Sequence, residues 1–100
     1  MRGKLANVLF ARGMLAQAEA EYREVVTART AALGEEHART LISRTNLASL
    51  LTEMGRLEDA EAELQAVVEI RRRTLGSGHP HTLVSERNLA SVLRRRVNGG

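Results

Sequence analysis

The chain has no cysteine and no tryptophan, and only one proline, one tyrosine and one phenylalanine. Without thiols there can be no disulfide, no thiolate nucleophile and no Cys-based zinc site. With so few rings the core must be aliphatic, and no stacking platform of the kind that holds single-stranded nucleic acid is available. Long apolar runs are missing too. Nothing approaches the roughly 20 residues that a membrane helix requires. The first apolar stretch, Leu5 to Leu15, is broken by Asn7, Arg12 and Gly13, unlike a signal peptide. These absences point to a soluble, cytoplasmic protein without a membrane partner. What is present, 43% hydrophobic and 27% charged residues, is the balance of a folded domain rather than of a disordered tail.

The chief positive feature is an internal repeat. Aligned at an offset of 42 without a gap, residues 5–46 and 47–88 agree at 19 of 42 positions, and a third copy opens at Leu89-Ala90. A fixed period of this size marks stacked supersecondary units, which build extended binding surfaces more readily than catalytic pockets. The expected organisation is a single domain over 1–100, with units 5–46, 47–88 and a partial 89–100, cut from a longer array.

Within each unit the apolar period is helical. Leu47, Leu50, Leu51 and Met54 fall at i, i+3, i+4 and i+7, and Leu57, Ala60, Leu64 and Val67 continue the pattern after Gly55. Gly55 and its mate Gly13 separate helices, since glycine takes the left-handed conformation that ends them. A second break, Leu75-Gly76-Ser77-Gly78-His79-Pro80, matches Leu33-Gly34-Glu35-Glu36-His37-Ala38, and Pro80 suits a first helical turn. Acids at 58–63 and Arg71–Arg73 at the other end complement a helix dipole. Five helices are predicted, at about 3–12, 15–33, 38–54, 57–75 and 80–97.

The segment Asn46-Leu47-Ala48, Leu51, Gly55, Leu57, Ala60-Glu61, Leu64, Val67 resembles the tetratricopeptide repeat. The resemblance implies an all-α solenoid of helical hairpins, about two and a third repeats long, in which Ala48 meets Ala60 at a close helix crossing. It places Tyr22 and Leu64 in the slot where the family favours an aromatic. The period of 42, with the links Leu75-Gly76, His79-Pro80 and Thr82-Leu83, is similar to the longer kinesin-light-chain type, which also occurs in bacterial signalling proteins.

Chemistry-bearing residues give no catalytic signal. His37 and His79 occupy equivalent links and are expected to do the same structural job, while His79 and His81 stand at i, i+2 rather than at the i, i+4 spacing of helical metal ligands. No metal site and no cofactor are therefore expected. The repeated serines Ser43, Ser49, Ser85 and Ser91 lie in no nucleophile elbow. Gly76-Ser77-Gly78 lacks the lysine of a phosphate loop. An enzyme is not expected.

The resemblance instead implies a concave groove lined by the first helix of each unit, which binds a peptide or partner domain. Carried over position by position, it nominates Asn7, Phe10 and Ala11, then Thr45, Asn46, Ser49, Thr52 and Glu53, then Arg87, Asn88, Ser91, Arg94 and Arg95. Each Asn carboxamide both donates and accepts, as a peptide backbone requires, or else caps or ties neighbouring helices. The arginines would favour an acidic peptide, unless they form only a solvated tail. The net charge of +3 raises nucleic acid as a partner, but residues 53–69 hold six acids, so charge is segregated along the chain rather than spread as a basic stripe. The alternative is self-association through the last helix, where Leu89, Val92, Leu93 and Val97 form a stripe with no following helix to cover it, giving a homodimer.

Overall fold

The computed structural model describes residues 14–99. The helix expected over 3–12, and with it Asn7, Phe10 and Ala11, lies outside the described residues. Four helices follow: α1 (Leu15–Leu33), α2 (Ala38–Glu53), α3 (Leu57–Leu75) and α4 (Pro80–Gly99). Their starts coincide with the expected ones. Each packs mainly on its sequence neighbour, α1 on α2, α2 on α3 and α3 on α4.

The turns are built as the repeat requires. Gly34 and Gly76 close α1 and α3 at φ 94° and 95°, and Gly55 joins α2 to α3 at φ 78°. These backbone angles strain any residue with a Cβ. Each helix that follows a link is then started by a histidine. His37 Nδ1 accepts from the Arg39 amide at 3.0 Å, and His79 Nδ1 accepts from the His81 amide at 3.0 Å. Each ring satisfies an amide that the first turn leaves without a helical partner. The structural job expected of these histidines is N-capping. His37→Ala or His79→Ala should each lower stability by about 0.5–2 kcal/mol, read as an earlier thermal midpoint.

The core joins three helices. Leu47, Ala48 and Leu51 of α2 meet Ala60 and Leu64 of α3 and Val92 of α4, with Tyr22, Val26, Leu57 and Leu89 packed around them. Ala48 and Ala60 are fully buried. Tyr22 is half-buried at this edge, and burial pushes its phenol pKa up. A second cluster, Leu41, Val67 and Ile70, closes the other end of the α2–α3 pair.

A second, repeated tie holds the links. Arg29 Nη1 donates to Ser43 Oγ at 2.6 Å and to the Arg39 carbonyl at 3.3 Å. Forty-two residues on, Arg71 Nη1 donates to Ser85 Oγ at 2.7 Å and to the His81 carbonyl at 3.3 Å. Each arginine thus clips the end of one hairpin to the helix that opens the next. The two links differ in one detail: Thr40 Oγ1 donates to the Gly34 carbonyl at 2.8 Å, whereas the buried Thr82 Oγ1 has no hydrogen-bond partner among the described residues.

Candidate functional site

Helices α2 and α4 occupy equivalent places in successive repeats and face each other across a groove. Two depressions divide it. One, of about 500 Å³, lies between the N-terminal halves of α2 and α4, with the last turn of α3 as its floor. Thr45, Asn46 and Asn88 line it beside the apolar Leu41, Ile42, Leu75 and Val84. The other, of about 180 Å³, lies toward the C-terminal ends and is lined by Ser49, Thr52, Glu53, Asn88, Ser91 and Arg95. Asn88 belongs to both.

The periodicity explains the convergence. Asn88, Ser91 and Arg95 stand at i, i+3 and i+7 on α4, while Asn46, Ser49 and Glu53 take the same spacing on α2, so each trio forms one row along its helix. Eight of the thirteen nominated side chains, Thr45, Asn46, Ser49, Thr52, Glu53, Asn88, Ser91 and Arg95, therefore line the groove. Arg87 and Arg94 are exposed on α4 and line neither depression. Asn7 lies outside the described residues.

Charge at the groove is set by which arginines are already paired. Arg44 meets Glu63 at 2.8 Å, Arg72 meets Glu86 at 2.6 Å, Arg73 meets Glu36 at 2.5 Å, and Arg96 pairs with Glu61. Arg56 joins Asp59 and Glu19. Arg87, Arg94 and Arg95 have no acidic partner among the described residues. The basic group at this end of the groove is thus Arg95, set against the carboxylate of Glu53, with Arg87 and Arg94 outside the lining. Arg96, at the end of the arginine run, is committed to holding α4 on α3.

The stripe nominated for self-association divides in two. Val92 is only 4% exposed and sits in the central core, and Leu89 packs half-buried against the same cluster. Neither is available to a partner, because both lie on the side of α4 that meets α3. Leu93 and Val97 are exposed, at 39% and 83%, and Leu83 joins them at 48%. The repeat mates of Leu83 and Leu93 are Leu41 and Leu51, which are 3% and 0% exposed. The difference is one of cover, since α3 lies over that face of α2 and no described helix lies over it on α4.

Sequence reasoning missed the arginine clips. Its signal was present, because Arg29, His37, Thr40 and Ser43 recur as Arg71, His79, Thr82 and Ser85. Among the described residues no group of three or more His, Asp or Glu side chains is placed to hold a metal ion. No described helix is long and apolar enough to cross a membrane.

A helical pair with a small-residue crossing, repeated at a fixed period and opening a groove between equivalent helices, defines a helical-repeat domain. The tetratricopeptide repeat matches residues 1–39 and 40–81, and the chain belongs to that family. Its repeats are non-catalytic units that generally mediate protein–protein interaction. No curated protein matches the chain significantly.

Proposed function

We propose that this chain is a protein-interaction module of the long-period, kinesin-light-chain-like type, in a cytoplasmic setting, and that it grips an extended peptide or a loop of a partner domain between α2 and α4. Stacked in register, its units form a solenoid with this groove on the concave side. The observation that carries the reading is the pair of equivalent carboxamides, Asn46 and Asn88, on facing helices and lining one recess. Buried peptide groups demand hydrogen-bond partners, and an amide side chain supplies both kinds. The unpaired Arg95, with Arg87 and Arg94, favours an acidic residue in the bound segment.

Selection of random peptides on the purified chain tests this. The enriched peptides should lose at least tenfold in affinity on the variant carrying Asn46→Ala and Asn88→Ala, whose thermal midpoint should stay close to that of the parent. Peptides that bind this variant as well as the parent exclude the groove.

A second reading, homodimerisation through the outer face of α4, is favoured by the exposure of Leu83, Leu93 and Val97 where the repeat mates Leu41 and Leu51 are covered. A self-complementary apolar face makes a closed two-fold contact. Sedimentation at increasing concentration should then show a dimer that Leu93→Lys with Val97→Lys converts to monomer. A parent chain that stays monomeric throughout rules the dimer out.

A further inference from the structure

The clip at Arg71 uses only half of its guanidinium. Nη1 makes both bonds, to Ser85 Oγ and the His81 carbonyl, and Nε and Nη2 donate no hydrogen bond to the described residues. The side chain is nevertheless 8% exposed, and burial pushes its pKa down. Both of its partners are neutral. The one carboxylate in the wall of the same recess, Glu36, is held by Arg73 at 2.5 Å. A buried cation without a counter-ion is costly, and the Nε–Nη2 edge of arginine matches the two oxygens of a carboxylate. Arg29 shows that the clip itself needs no more than Nη1.

The rest of the wall combines aliphatic side chains with neutral polar ones, Thr45, Asn46, Thr74 and Asn88, and with His81. Ile42, Leu75 and Val84 each keep nearly half of their surface in solvent around the 500 Å³ recess that Arg71 helps to line. That volume lies within the range of small-ligand sites, which combine apolar walls with a few fixed polar groups.

We propose that this recess binds a carboxylate carried on an aliphatic body, paired bidentately with the Nε and Nη2 of Arg71 and packed on Ile42, Leu75 and Val84. The same chemistry is offered by a free aliphatic acid and by the C-terminal residue of a polypeptide. The site does not require that the groove hold an extended peptide.

Nitrogen-15 NMR titration of the whole chain with hexanoate, its methyl ester, N-acetyl-leucine and N-acetyl-leucinamide tests the assignment. Each acid should give saturable shifts at the Arg71 Nε and at backbone amides of residues 38–46 and 81–88. The ester and the amide should bind at least tenfold more weakly. Tighter hexanoate marks a free acid as the occupant, and tighter N-acetyl-leucine marks a polypeptide terminus; either supports the site. Val84→Asp, an exposed change that leaves the core intact, should weaken the acids at least tenfold, and Arg71→Lys should do so too. Acid and ester binding equally, shifts confined to other residues, or no saturable shift with either acid would each overturn the proposal.

Discussion

Leu51→Ala should destabilise the chain by about 2–5 kcal/mol, whereas Leu93→Ala should cost under about 1 kcal/mol. The two leucines hold the same slot in successive repeats, 42 residues apart. Leu51 is fully buried in the central cluster between α2 and α3, while Leu93 stands on the uncovered side of α4. Removing Leu51 leaves a cavity that close-packed neighbours only partly fill. Removing Leu93 deletes a side chain that keeps 39% of its surface in water and leaves no enclosed cavity behind. In a domain of this size each kcal/mol moves the thermal midpoint by roughly 4–8 °C, so a melting curve separates the two variants without difficulty. Equal losses would mean that the outer face of α4 is covered in solution, and the homodimer would then be the first arrangement to examine.

Ala60→Leu should cost about 1–3 kcal/mol, and Ala62→Leu should cost almost nothing. Ala60 and Ala48 have no exposed surface and belong to the same cluster, where α2 and α3 cross closely enough to leave room for methyl groups only. Three added carbons at Ala60 must push the helices apart or force neighbours off their rotamers. Ala62 lies two residues on, on the solvent face of the same helix, and leucine is nearly as good a helix former as alanine. An unchanged midpoint for Ala60→Leu would disprove the close crossing.

The helical skeleton was readable from the sequence because short-range chemistry dictates it. The aliphatic period fixes which faces are buried, and Gly34, Gly55 and Gly76 fix where helices end. The eight groove residues were nominated because the family resemblance puts these positions of the first helix on the concave face, and their helical spacing then sets them in rows on equivalent helices. Legibility ended where side-chain direction depends on tertiary contact. Leu89, Val92, Leu93 and Val97 read as one stripe, yet about 100° per residue turns Val92 toward α3 and Leu93 away from it. The arginine run 94–96 likewise split once Glu61 captured Arg96. Arg71 looked like a helix-end charge, and its bond to Ser85 across 14 residues follows only from how α3 meets α4.

The central claim is that the surface between α2 and α4 is the one that binds a partner. It is tested most directly by mapping the backbone-amide shifts of the whole chain on saturation with a selected peptide. The account predicts that the largest changes trace the rows Asn46, Ser49 and Glu53 on α2 and Asn88, Ser91 and Arg95 on α4. A map centred instead on the opposite side, around Thr27, Thr30 and Glu63 between α1 and α3, would contradict it.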